Sequence, residues 1–227
     1  MNIFGGIHTS AGPHILSMPS FPSSFGGDDD QFDSYDEFVV ANAPTPGRFL
    51  DGHDVLTGSD HLAFHRLTRE LFEERTVYDM TFNYNLARLN LDSRHREAGY
   101  RYAEERPDSP DALDADGVER VLRAEFTPTT PFCPQTHTLT IGSFRAWNGL
   151  ADRHEYDLVR VRAAPMHQRS DAINDRLVEL EESFVETGDL APPPGESLDV
   201  GPESLSPDAG RGIPDGGADD GSGDAPF

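Results

Sequence analysis

One thiol is available to this chain. Cys133 is the only cysteine among 227 residues, and it stands in the run Thr127-Pro128-Thr129-Thr130-Pro131-Phe132-Cys133-Pro134. The prolines are expected to stiffen the turn and hold the sulfur in place. A helix is expected to start straight after it, so the thiol would face unpaired backbone N–H groups and the positive end of a helix dipole. Both favour the thiolate, the form that attacks electrophiles and binds soft metals. Together with His137, four residues on, Cys133 suits a thiol- or metal-dependent enzyme. Alone it offers one of the four ligands that an iron–sulfur cluster usually takes. As a packed core residue it would be inert, leaving an interaction module with a structural cysteine. The residues by themselves leave these readings open. His61 and His65 have the i, i+4 spacing of a zinc-binding pair, yet neither a third ligand nor the HExxH glutamate accompanies them. No phosphate-binding GxxxxGK[ST], no GxGxxG and no GxSxG occurs.

The elements that must hold the thiol follow from periodicity. Leu122, Ala124 and Phe126 alternate with Arg123 and Glu125, which predicts a strand over 118–127 leading into the loop. A helix is expected from Pro134 to Trp147, ended by Asn148-Gly149. Alternation at Val159, Val161 and Ala163 predicts a second strand over 155–163. Ile173, Leu177, Leu180 and Phe184 give the stripe of a last helix starting near Ser170. Upstream, Phe64, Leu67 and Leu71 predict a first helix capped at Ser59 or Asp60. The stretch VYDMTFNYNLARLNL has β character, and 103–117 reads as a loop or wide hairpin. Phe144 and Trp147 are expected in the core. The fold class is α/β of the two-layer α+β type, a small mixed sheet covered by helices, with disordered arms at both ends.

The stretch AEFTPTTPFCPQTHTLTIG resembles the signature loop of the iron–sulfur cluster assembly domain family. That family takes in SufT-like bacterial and archaeal proteins, PaaD-like proteins and eukaryotic cytosolic targeting factors. Its members carry a strand, a Thr-Pro-rich turn, one Cys and a helix. Phe126, Thr127, Pro128, Thr129, Pro131 and Cys133 fit the eukaryotic form; Thr130, Pro131, Cys133 and Pro134 fit the prokaryotic one. Two further segments stand in the same order. VYDMTFNYNLARLNL resembles the family's Asp-Pro-Glu segment with its Asp-Leu-Gly-Leu turn, with Asp79, Asn85, Leu89 and Leu91 at matching positions. His167, Ala172, Asn174 and Leu177 keep the spacing of the His…Ala-Val-Asn…Leu run. Met80 and Thr81 replace the family's Pro and Glu, and Arg88 and Asn90 replace its Asp and Gly. The PaaD-like branch fits less well, because no cysteine-rich C-terminal segment follows. The resemblance spans about 60–185. It implies a cytoplasmic accessory factor, not an enzyme, with Cys133 as the functional thiol. Asp79, Asn85, His167 and Asn174 are secondary positions, as is His137 on its own spacing. Iron or an iron–sulfur cluster would be a transient cargo at Cys133, with no tightly bound cofactor. The partners implied are the assembly machinery and client apoproteins, and a homodimer is one way to bring two Cys133 thiolates together.

Charge sets the surroundings. Forty-one acidic residues face 18 basic ones, a net charge of −23, and all 18 are arginine. Such a chain repels itself in dilute buffer and is better tolerated in molar salt, where the Debye length falls to about 3 Å. A halophilic source is expected. Nucleic acid is not an expected partner, because arginines are interleaved with acids rather than clustered. No membrane span or secretion signal is expected either. Composition predicts a mostly disordered arm over 1–55, whose aromatics Phe25, Phe32, Tyr35 and Phe38 offer a short docking segment. A domain is expected over 56–186 and a disordered acidic tail over 187–227.

Overall fold

The computed structural model describes residues 32–33 and 42–190. Four strands form a mixed sheet in the order β1 (Asp54–Val55), β4 (Gly99–Glu104), β5 (Val121–Thr127), β6 (Leu158–Ala163). β1 and β4 pair antiparallel, as do β4 and β5, whereas β5 and β6 run parallel. A parallel neighbour needs a crossover, and α2 (Thr136–Asn148) supplies it. α1 (Gly58–Glu74) precedes a two-stranded hairpin, β2 (Tyr78–Asp79) and β3 (Tyr84–Asn85), and a 3-10 helix over Leu86–Leu91; α3 (Ser170–Thr187) closes the fold. The expected α/β class, a small mixed sheet covered by helices, is what the chain adopts. No helix among the described residues is long and apolar enough to cross a membrane.

The helix-facing side of the sheet carries the apolar alternation. Leu122, Ala124 and Phe126 lie beside Tyr100 and Tyr102 of β4 and Val159 and Val161 of β6, all fully buried. Trp147 meets Phe72 and Tyr100 at ring distances of 4.9 and 5.0 Å and donates its indole N–H to Thr68 (3.2 Å).

The other side is charged and nevertheless covered. Arg101, Glu125 and Arg162 stand in cross-strand register, as do Arg123 and Arg160 one step away, and Arg123 and Glu125 are almost wholly buried. Glu105, Asp111 and Glu181 of α3 supply counter-charges at 2.6–2.9 Å. Residues 47–50 lie over this layer. The N–H groups of Gly47 and Phe49 donate to Glu125, and the Phe49 ring sits 4.8, 5.8 and 5.1 Å from the guanidinium carbons of Arg123, Arg160 and Arg162. A Cβ on Gly47 would fall 2.2 Å from a Glu125 oxygen, so only glycine allows this approach. The arm expected over 1–55 is therefore corrected. Residues 42–55 belong to the domain, with Leu50 buried and β1 paired to β4. Phe32 bridges to Asp92 and packs under Arg88. The rest of the expected N-terminal arm, and the tail beyond 190, lie outside the described residues.

Strand ends are closed by asparagines. The Asn148 and Asn174 side chains each bond both the N–H and the C=O of one β6 residue, Val159 and Ala163, at 2.7–3.0 Å. Between them the Val161 carbonyl accepts from Arg162. Asn90 does the same for Tyr100 on β4. Each amide takes the place of a missing neighbouring strand, and each buried group it satisfies would otherwise cost about 1–3 kcal/mol.

Some boundaries differ from expectation. α1 starts at Gly58 behind Thr57, without a side-chain cap from Ser59 or Asp60. α2 starts two residues after Pro134, so that proline precedes the helix instead of opening it. β4 begins at Gly99, so the expected polar stretch at 103 starts inside a strand.

Candidate functional site around Cys133

The loop leaves β5 at Thr127, passes buried Pro128 and half-buried Thr129, and turns at exposed Thr130 and Pro131. The Cys133 N–H bonds to the Thr130 carbonyl, and the Cys133 carbonyl accepts from Thr136, the first residue of α2. Cys133 thus sits in the turn directly before the helix, half-buried, between exposed Phe132 and exposed Pro134.

The loop is pinned from across the chain. Gln168 donates its N–H to the Pro131 carbonyl (2.9 Å), and His167 Nε2 lies 3.1 Å from the Cys133 carbonyl. A carbonyl only accepts, so Nε2 carries the hydrogen, and Nδ1 accepts from the Arg169 N–H at 3.1 Å. On the other side Gln135 accepts from the Met80 N–H (3.0 Å) and donates to Thr81 Oγ1 (2.5 Å). The β2–β3 turn and the 164–169 segment therefore both meet the loop. They bring with them Met80 and Met166, which with Phe132 are the exposed large hydrophobics among the described residues, at 75%, 43% and 67% exposure. Met166 also borders a cleft of about 350 Å³ beside Thr127–Thr129. Glu125 forms part of its wall, and burial holds that carboxyl above its ordinary value. A larger cleft of about 640 Å³, lined by Phe64, His154 and Tyr156, opens near Glu104, at the opposite end of β5 from the loop.

The sequence-predicted residues divide. His167 reaches the loop directly. Asp79 is buried and spends an oxygen on the N–H groups of Thr81 and Phe82, shaping the hairpin turn. Asn85 caps the 3-10 helix through the Ala87 N–H and holds the Arg69 carbonyl. Asn174 clamps the end of β6. These three build the frame. His137 is the second residue of α2, and its neighbours are cationic: burial, then Arg169 and Arg176, keep it below the usual imidazole range. The histidine that touches the Cys133 backbone is His167, 34 residues along the chain. Sequence reasoning passed over Gln135, Phe132 and Met166. The first had no signal, and the other two read only as apolar residues.

His61 and His65 are buried in the core with their rings stacked at 5.6 Å. Both nitrogens of His65 are taken, by Tyr102 Oη (2.9 Å) and the Ala87 carbonyl (2.8 Å), so it has no lone pair for zinc. Among the described residues no group of three or more His, Cys, Asp or Glu side chains is placed to hold a metal ion.

A family model for a domain of unknown function, DUF7998, matches residues 30–191. The chain belongs to the DUF7998 family. No curated protein and no solved structure matches it. The DUF7998 region takes in every described residue, including Phe32 and the 42–55 segment that covers the arginine layer.

Proposed function

We propose that this DUF7998 chain is a cytoplasmic, non-enzymatic accessory factor in iron–sulfur cluster assembly or in the maturation of iron–sulfur proteins. It acts as an adaptor, or as a transient carrier through Cys133. The observation that carries this reading is the loop itself. A half-buried cysteine stands in a strand-to-helix turn whose backbone is fixed by hydrogen bonds from another part of the chain, beside exposed apolar side chains. A pinned loop loses little entropy when a partner docks, and exposed apolar side chains gain by being covered. The order strand, Thr-Pro turn, Cys, helix is the one the resemblance requires. One thiolate cannot enclose a cluster, so the cargo's remaining ligands come from a client, from the assembly machinery or from a second copy. The charge of −23 with arginine as its only strong base supports a salt-loaded cytoplasm as the setting.

In cells whose only copy is Cys133→Ala, aconitase-type activity is expected to fall while the amount and fold of the variant stay normal. Unchanged activity of iron–sulfur enzymes in those cells would refute the reading.

A further inference from the structure

We propose that the face beside Cys133 docks an acidic, apolar-tipped segment of a client protein. The inference rests on the Cys133 loop being where a client is held, and adds the chemistry of what is held.

In a chain of net charge −23, three arginines and a histidine come together beside this loop. α2 and α3 both start beside the loop and pack on each other, with Phe144 against Phe184. His137 and Arg145 lie two turns apart on α2, flanking buried Ile141. Arg169, the residue that precedes α3, and Arg176 lie two turns apart, flanking buried Ile173. The four groups thus line the seam between the helices, while Asp171 and Asp175 fall on the far side of α3. They feel one another: burial first and Arg176 second hold the Arg145 guanidinium below its ordinary value, as burial, Arg169 and Arg176 do for His137. The Nε of Arg145 is enclosed and has no hydrogen-bond partner among the described residues. Glu179 answers Arg176 at 2.8 Å; Arg169 is exposed. Guanidinium groups held together, as Arg145 and Arg176 are, are relieved by carboxylates from outside, and Arg pairs them with two parallel hydrogen bonds. Phe132 and Met166 next to this seam supply the contact for an apolar side chain. Opposite charge with an apolar anchor describes an acidic peptide segment and excludes a basic one.

Because Cys133 is the only thiol, its own reactivity reads the face. The full chain is mixed, in about 1 M KCl to screen distant charges, with either of two peptides carrying a 2-pyridyl disulfide on a central cysteine. One has leucines flanked by glutamates, the other leucines flanked by lysines. The Cys133 thiolate attacks the peptide sulfur, a new disulfide forms, and pyridine-2-thiolate leaves and is read by its absorbance. The glutamate peptide is expected to be captured about tenfold faster than the lysine peptide. Arg169→Glu with Arg176→Glu should abolish or reverse the preference while leaving the circular dichroism unchanged. If the double variant does not fold, Arg169→Gln alone should still narrow the ratio. Equal capture of the two peptides, faster capture of the lysine peptide, or a ratio indifferent to these variants overturns the proposal. A lost preference alongside a defective Cys133→Ala cell would leave the maturation role standing and remove only this docking chemistry.

Discussion

Arg123→Leu is expected to lose about 3–5 kcal/mol of unfolding free energy, the cost of stripping Glu105 of a partner with which it is buried. Arg123 is 1% exposed and makes four contacts: Glu105 at 2.6 Å, both an oxygen of Asp111 and its carbonyl, and the Phe49 carbonyl. Leucine leaves Glu105 buried with Arg160 as its remaining cation, and removes a guanidinium from beneath Phe49. The segment 47–50 would lose one of its anchors, the bond from Arg123 to the Phe49 carbonyl, and keep Glu125's hold on Gly47 and Phe49. Arg153→Ala, which breaks surface pairs with Glu70 and Glu74, is the control and should cost at most about 1 kcal/mol. Denaturant unfolding in dilute and in molar KCl makes the comparison. Wild type and Arg123→Leu should both gain stability in molar salt, as the net charge is screened. The gap between them should persist, because salt does not reach the buried layer. A gap below about 1 kcal/mol would mean that the layer contributes packing alone.

The second large effect is on acid stability. Burial, with His65 and then Arg101 beside it, lowers His61 to about 3, and burial lowers His65 to about 4 against the opposing Ala87 hydrogen bond. The geometry gives the reason for His65. Its Nε2 must donate to the Ala87 carbonyl, so Nδ1 accepts from Tyr102, and a second ring proton would displace that bond. Unfolded histidine titrates near 6.5, so between that value and 4 the unfolded chain binds more protons than the folded one. Stability contributed by the neutral pair is present above about pH 6.5 and is lost as the pH falls. Between pH 7 and pH 5 the two together should remove about 4 kcal/mol. Equilibrium unfolding in that window reads the slope, and His65→Gln should flatten it by roughly half. A stability that is level from pH 7 to 5, or a slope that the variant leaves untouched, would contradict neutral burial of the pair.

The covered arginine layer is a part of the molecule that periodicity does not reveal. Alternation in 118–127 and 155–163 assigns Arg123, Glu125, Arg160 and Arg162 to one polar face. A polar face bathed in solvent and one sealed by a distant segment have the same pattern. The seal lies at 47–50, where Phe49 is held by guanidinium groups and Gly47 by a carboxylate, so no apolar repeat announces it. β1 is two residues long and β4 reads GYRYAE, whose Arg101 and closing glutamate disguise its alternation. The strand into the loop, the helix after it, the parallel strand and the last helix were legible, because each has a clear apolar period and a proline or glycine near its end. At the candidate site, the position of Cys133 in its turn was legible from local residues. Its support by His167, Gln168 and Gln135 was not, since those bonds join segments far apart in sequence. Asp79, Asn85 and Asn174, secondary site positions by the resemblance, fold the hairpin, cap the 3-10 helix and close the sheet edge.

Everything proposed for the site requires that the Cys133 sulfur be reachable while the chain is folded. The direct measurement is the rate of iodoacetamide alkylation of Cys133 in molar KCl, followed by mass spectrometry, for the folded chain and for the chain unfolded in guanidinium. A folded rate within about tenfold of the unfolded one is expected for a half-buried cysteine on an open turn. Protection of about a thousandfold or more, released only by global unfolding, would make Cys133 a core residue and leave the proposed function without its reactive atom.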